Sequence, residues 1–412
     1  MSSREAALFI TYDGLLDPLG GSQILPYLRS ISAHPRPLHI VSFEKEDRFR
    51  VGAAALRTEL ENAGIGWTPV AFTSGFGKVG KLWDLFRMYL VCVALQLKMR
   101  FSIIHCRSYQ AMQVGSFLSA LFGVKTIFDM RGLWVDERVD GGLWNVERLS
   151  DLAAYRVYKR IERRLLYRAT HVVALTDRVV TELRRLSPKM KAPVTVIPCC
   201  ADFDFFSPLS AEERSGARAE LALPEGALVI SYLGSLGTWY MLEEMLDFFG
   251  RSAKLDANVH LLIITRDWRK EHEQLVDKMG LSPLRGRIHV HAASRDAVRR
   301  YLGCTDVMLS FIKPAYSKMA SSPTKLAEAF ALGVPAISNV GVGDVDGLTE
   351  TLQAGALVDF SKPESIDEVI HRLSEICRFG GDDLRRRARE ELGLEVAKAR
   401  YRAIYDQVEG CA

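Results

Sequence analysis

The sequence predicts an α/β protein of two Rossmann-like domains facing each other across a cleft. Three observations carry this. Short apolar runs alternate with helical patterns along all 412 residues, a glycine turn follows an apolar run in each half, and a Pro-bounded stretch at 198–208 separates the halves. The length also calls for two domains, each with its own core. The first is expected over 1–205 and the second over 206–393, with a last helix in 394–412 packing back on the first.

In the first half, residues 6–12 read as a buried strand followed by the loop DGLLDPLGG. A helix then starts at Ser22, with Ile24, Leu25, Leu28 and Ile31 inside. Residues 38–43 form the second strand and 50–63 a helix, an order that implies a parallel sheet. Gly20 and Gly21 would let a ligand approach the backbone at the carboxyl end of the first strand, where open α/β sheets bind ligands. Glu44 lies where a dinucleotide fold keeps its ribose-binding acid, yet no G-x-G-x-x-G follows the first strand, which argues against an oxidoreductase. Residues 81–99 read as a helix with Trp83, Phe86, Leu90 and Val93 toward one side. Residues 102–105 and 125–128 are further strands, the latter leading into a loop with Asp129, Arg131 and Trp134. Trp134 there is either core or site; Asp129 and Arg131 either pair with each other or serve a site. The segment with Arg156, Lys159, Arg160, Arg163, Arg164 and Arg168, opposed by Glu162 alone, is a solvated helix face or a contact for anionic lipid headgroups or polyprenyl phosphate. Strand 171–175, a Thr176-capped helix to Leu186 and strand 194–197 complete the half.

The second half repeats the plan. Residues 229–233 form a strand, Gly234, Ser235, Leu236 and Gly237 a turn, and 241–249 a helix. Strands 260–265 and 288–290, helix 296–302 and strand 307–311 follow. The stretch MASSPTKLAEAFALGVPAISN at 319–339 then joins a polar loop to a short helix and a buried strand. Leu326, Ala329 and Phe330 fall at helical spacing, and Gly333 stops the helix. Ser321, Ser322 or Thr324 can cap its start, so that free N–H groups, a positive dipole end and the Lys325 ammonium converge where an anion could sit. Glu328, one turn on, could accept hydrogen bonds from the hydroxyls of a ribose. The competing reading of Lys325 and Glu328 is an ordinary solvated i,i+3 pair.

Composition narrows the class. Apolar content of 48% with 25% charged residues is ordinary for a globular protein. A net charge of +4 does not point to nucleic acid. Seven cysteines without a Cys-x-x-Cys pair suggest free thiols in a reducing compartment. The amino terminus lacks a signal-peptide core, and the apolar run 88–95 is far shorter than the roughly 20 residues a bilayer span needs. The expected location is the cytoplasm, at most peripherally at the inner face of the membrane. The chain is read as having no Asp-x-Asp triplet to hold a divalent cation at a diphosphate, its histidines show no ligand spacing, and neither a metal nor another cofactor is expected.

Several segments, taken together and in order, resemble the GT-B glycosyltransferases, in particular the large retaining family 4. DPLGGSQ is similar to the glycine loop of the amino-terminal domain, SIIHCRS to its strand ending in a His, and IFDMRGLWVDE to the Arg-Asp-Leu-Trp-Pro-Glu segment of members that decorate bacterial cell-surface glycans. VIPCCADFDFF, YLGSLGTWY, SSPTKLAEAFALGVPAISN and GALVDF resemble the linker, the first glycine turn, the donor helix and the segment after it. The resemblance implies transfer of a sugar from a nucleotide-sugar donor to a glycan or lipid-linked acceptor in polysaccharide biosynthesis, with retention and without metal. It places the donor in the second domain, on Gly234, Ser235, Gly237, Ser321, Ser322, Thr324, Lys325, Leu326 and Glu328. The acceptor falls to the first, on Gly20, Gly21, His105 and Arg107, with Asp129, Arg131 and Lys325 in the chemistry. The chain departs from the pattern at Ala320, where the first acid of Glu-x7-Glu is expected, and at Asp129, which replaces a His. A nucleotide-sugar epimerase or isomerase of the same fold, or a non-catalytic nucleotide-binding homologue, is the alternative.

Overall fold

In a computed structural model, which describes residues 6–32 and 37–410, the chain divides into two compact units. The first holds the described residues up to Pro198 together with those from Leu394 on; the second is Cys199–Gly393.

The first unit runs β1 (Ala7–Thr11), α1 (Pro18–Gln23), α2 (Leu25–Ser32), β2 (Leu38–Glu44), α3 (Glu46–Asn62), β3 (Ile65–Ala71), α4 (Gly77–Met99), β4 (Ile103–Arg107), α5 (Ser108–Phe122), β5 (Lys125–Asp129), α6 (Trp134–Asp140), α7 (Leu149–Arg168), β6 (His171–Ala174), α8 (Asp177–Leu186) and β7 (Val194–Val196). Its seven strands pair in parallel in the order β3-β2-β1-β4-β5-β6-β7. Every residue of β1 and β4 is buried, as befits central strands covered by helices on both faces. Strand order reverses between β1 and β4, so their carboxyl ends open onto the crevice where such sheets hold ligands.

One expectation changes here. Gly20 and Gly21 lie inside α1 rather than in an open loop, and a Cβ on Gly20 would overlap the carbonyl oxygens of Gly14 and Leu15. Glycine is needed there for chain to pack on chain. Glu44, the would-be ribose acid, is buried and accepts hydrogen bonds from the Leu15 and Leu16 amides at 2.8 and 3.2 Å and from the Ser42 hydroxyl at 2.6 Å. It staples this same turn.

The second unit runs α9 (Ala211–Glu220), β8 (Leu228–Leu233), α10 (Leu242–Leu255), β9 (Val259–Ile264), α11 (Lys270–Lys278), β10 (Ile288–His291), α12 (Arg295–Gly303), β11 (Val307–Ser310), α13 (Thr324–Ala331), β12 (Ala336–Asn339), α14 (Val345–Leu352), β13 (Gly355–Val358), α15 (Pro363–His371), α16 (Leu373–Cys377) and α17 (Asp382–Leu392). The parallel order is β10-β9-β8-β11-β12-β13, reversing between β8 and β11. One apolar cluster, with Val229, Leu262, Leu326 and Phe330, covers one face of the sheet; a second, with Ile230, Phe248, Leu261 and Phe311, covers the other. The division falls after Pro198, earlier than the expected boundary. Phe203 and Phe206 of the supposed linker are buried in the first of these clusters, and the Arg385 guanidinium donates to both of their carbonyls.

The last helix, α18 (Leu394–Gly410), belongs to the first unit and packs on α2. Its buried face carries Ala397, Tyr401, Ile404, Tyr405 and Val408. The Tyr401 ring meets Tyr27 edge-on at 5.6 Å.

Candidate functional site

In the second unit the glycine turn and the start of α13 come together at the carboxyl ends of β8 and β11. The Gly234 amide continues the sheet by donating to the Ile264 carbonyl at 3.0 Å, and the turn is fastened by the Leu236 amide on the Asp267 carboxylate at 3.2 Å. The Tyr232 hydroxyl donates to the Ser235 carbonyl at 2.5 Å. Farther along, the Met241 amide donates to the Phe311 carbonyl and the Lys313 amide to the Trp239 carbonyl, which ties the loop to the end of β11. Gly234 has φ +145°, and a Cβ there would overlap the Lys325 ammonium. Lys325 therefore crosses from α13 to the glycine turn, its Nζ 4.4 Å from the Tyr240 ring centre. No carboxylate pairs with it among the described residues. An unpaired ammonium over aromatic faces, beside a glycine backbone and a helix start, is a cation available to an anionic ligand.

Glu328 does not salt-bridge Lys325, so the solvated i,i+3 pair is absent. Its half-buried carboxyl is pushed up to about 7 by burial, against the opposing pull of Lys325 and then Arg295. Arg295, at the start of α12, went unremarked in the sequence. The caps also differ from expectation. The position before α13 is Pro323, and no side chain caps it; Ser322 instead accepts the Cys199 amide at 3.0 Å. The Thr324 and Lys325 amides at the helix start are consequently not covered by a side-chain cap. Ser321 donates its amide to the Lys318 carbonyl, Leu326 is core, and Ala320 is buried. Beside them the Lys318 ammonium sits 3.7 Å from the Trp239 ring centre, two further residues the sequence did not flag.

In the first unit a polar cluster is buried at the carboxyl ends of β4 and β5. The Asp129 carboxylate has Arg107 Nη1 at 3.5 Å, Arg131 Nη1 at 3.7 Å and His105 Nε2 at 3.8 Å, and accepts the Tyr401 hydroxyl at 3.1 Å. Burial alone would raise its pKa, but Arg131, His105 and Arg107 together hold it well below the ordinary range. His105 goes the other way: burial lowers it more than Asp129 raises it, leaving a neutral ring whose Nδ1 lies 2.9 Å from the Tyr405 hydroxyl. At 1% exposure, His105 is enclosed rather than presented to an acceptor, and Arg107 is buried likewise. Both line a cavity of about 10 Å³ with Gln23, Tyr27, Asp129 and Tyr401, about one water's worth of room. Of this group Arg131 is the least buried; it has φ +54°, and Ser108 after β4 has φ +71°. Left-handed non-glycine residues cost roughly 1–3 kcal/mol and gather at functional loops. The tyrosines from α18 are the part of this cluster that sequence order concealed.

Two Asp-x-Asp triplets, at 202–204 and 344–346, contradict the expectation that the chain has none. Asp202 accepts the Asp204 and Phe205 amides as a turn, and Asp346 accepts the Gly341 amide. Among the described residues no three His, Cys, Asp or Glu side chains are grouped to hold a metal.

Comparison with known proteins bears on both halves. The family model for a "Glycosyl transferase 4-like domain" matches residues 35–200, and that for "Glycosyl transferases group 1" matches residues 213–391. No curated protein matches the sequence. Among solved structures, sucrose-phosphate synthase from Thermosynechococcus elongatus is similar with a TM-score of 0.70 at 15% identity, over 99% of this chain and 100% of that one. Anabaena Alr3699/HepE, solved with UDP and glucose, gives 0.68 at 15% over 98% and 100%. A glycosyltransferase from Rickettsia africae ESF-5 gives 0.68 at 14% over 98% of each chain. At such identities the likeness is one of fold, and the family models carry the rest. The chain belongs to the GT-B glycosyltransferases, with a 4-like domain in its first half and a group 1 domain in its second.

Proposed function

We propose that the protein transfers a sugar from a nucleotide-sugar donor to a hydroxyl of a glycan or lipid-linked acceptor, in the assembly of a polysaccharide. The observation that carries this is the unpaired Lys325 ammonium lying against Gly234 beside the start of α13. Departure of a nucleoside diphosphate builds negative charge, and a fixed cation with oriented amides favours that charge most as the bond breaks. Thr324 and Lys325 would meet the diphosphate, with Gly234, Ser235 and Gly237 allowing close approach, while Glu328 would accept from the ribose. Lys325 supplies positive charge where a divalent ion otherwise would, which is the support for a metal-independent reaction; the resemblance to family 4 supports retention. For the acceptor side the burial of His105 and Arg107 moves the reading to Arg131, held by Asp129. Gly20 and Gly21 become framework.

Calorimetry with nucleoside diphosphates, UDP first because a similar structure holds it, tests this. At least one should bind, and Lys325→Ala should weaken it by roughly 1.5–3 kcal/mol, the range for hydrogen bonds to charged groups. Absence of binding by every diphosphate would sink the reading; undiminished affinity in the variant would remove Lys325 from it.

A further inference from the structure

Helix α4 is turned the opposite way to the one its sequence suggests. Its inward side is Gly80, Asp84, Met88, Cys92 and Gln96, which includes its only acid. The Asp84 carboxylate accepts the Tyr12 hydroxyl at 2.9 Å, the Thr73 hydroxyl at 2.6 Å and the Thr73 amide at 3.1 Å, and pairs with Arg87. A polar residue so well satisfied fixes the rotation of the helix. The apolar stripe is thereby left outside: Val79, Leu82, Trp83, Phe86, Leu90 and Leu97 are all exposed, Leu82 at 66% and Trp83 and Phe86 at 50% each. Trp83 and Phe86 stack at 5.6 Å. Across the next helix Phe117 and Leu121 extend the apolar ground, with Phe117 against Tyr89 at 5.4 Å. An apolar strip the length of a 23-residue helix exceeds the scattered exposed residues of an ordinary surface.

Charge decides what covers it. The exposed side of α4 holds Lys81 and Lys98 and no carboxylate. Helix α5 packs between α4 and α7, so α7 stands about two helix spacings, roughly 20 Å, from α4. On α7 Lys159 turns inward to Asp136 and Glu162, whereas Arg156, Arg160, Arg163, Arg164 and Arg168 all face solvent. A second copy of this face would set cations against cations. A bilayer with anionic headgroups offers hydrocarbon to the stripe and negative charge to the lysines and arginines, with Trp at the boundary.

We propose that α4, with Phe117 and Leu121 of α5, seats in the surface of a membrane bearing anionic lipid, while the α7 arginines meet its headgroups. Among the described residues no helix is long and apolar enough to cross a bilayer, and the attachment is interfacial. It stands apart from the donor reading, because vesicle binding is measured without nucleotide.

Flotation of the full chain with vesicles of phosphatidylcholine alone, or mixed with phosphatidylglycerol, tests it. The protein should float with the anionic vesicles. Trp83→Ser with Phe86→Ser should weaken binding on the order of tenfold or more, each exposed ring losing its apolar insertion. Arg160→Glu with Arg164→Glu should weaken it further at low salt than at high salt. Leu82→Gln with Leu90→Gln, on the same stripe, should act as the aromatic pair does and serves if that pair disturbs folding. Wild-type protein left at the bottom of the gradient with both vesicles, or Ser and Gln variants that float undiminished, would overturn the proposal. So would sedimentation showing a dimer that Trp83→Ser with Phe86→Ser dissolves, which would assign the stripe to a second copy.

Discussion

Glu328, a residue of the proposed donor site, is buried at a cost to the fold. Its carboxyl titrates near 7 because burial outweighs the two cations near it. A carboxyl whose folded pKa lies above its unfolded value, about 4.3, keeps its proton longer in the folded chain. Stability therefore falls as pH rises between those two values. Glu328→Gln should accordingly gain on the wild type from about pH 5 to about pH 8, by something on the order of 1–3 kcal/mol, in denaturant melts run across that range. In the same variant nucleoside diphosphate should bind less tightly, the trade expected of a site residue. A difference in stability that is flat with pH would mean that Glu328 is not held near 7. How far such residues were legible beforehand differs by type. Lys325 and Glu328 stood out because a polar loop, a helix and a strand followed one another within a short stretch. Arg295 and Lys318 did not, since their nearness to the site comes from the crossing of separate elements, and a lone basic residue at a helix start carries no local signal.

At the scale of elements, the most readable were those with a simple period or a continuous apolar run, such as β1, β9 and α13. Strand β3 was passed over because Gly66 and Pro69 interrupt it, and a proline is tolerated there only because the strand lies at the sheet edge. Helix α5 was passed over because it is apolar nearly all round, so no stripe contrasts with a polar face. Helix α4 had a clear stripe that pointed outward, and only the buried partners of Asp84 reveal why. The turn after β8 illustrates an element whose glycine is set by another element's side chain. Gly234→Ala would force φ +145° on a residue with a Cβ and push that carbon into the Lys325 ammonium. Strain of that kind costs roughly 1–3 kcal/mol, and it can be relieved by moving Lys325 away. Nucleoside diphosphate affinity should fall at least as far as in Lys325→Ala, with little loss of helix content by circular dichroism. Affinity equal to the wild type would show that Lys325 need not approach the turn.

For the whole molecule the chain order matters more than either sheet, because the first unit is not finished until residues 394–410 return to it. Tyr401 donates to Asp129 and Tyr405 lies against His105, so the buried polar cluster of the first unit depends on the last helix. Four large side chains, Tyr401, Ile404, Tyr405 and Val408, are almost wholly buried there. At about 1.5–3 kcal/mol each, their removal would cost roughly 6–12 kcal/mol, which is comparable to the entire stability of a typical domain. The Asp129 carboxylate would at the same time lose a hydrogen bond inside a low-dielectric cluster. Cutting the chain after Gly393 should therefore unfold the first unit and spare the second, whose strands, two apolar clusters and glycine turn all lie within Cys199–Gly393. Limited proteolysis of the truncated chain should digest residues up to Pro198 and leave a resistant fragment that still binds nucleoside diphosphate, with weakening of less than about tenfold. Resistance of both units to protease would show that the last helix is dispensable for the first, and loss of both would show that the second cannot stand without it.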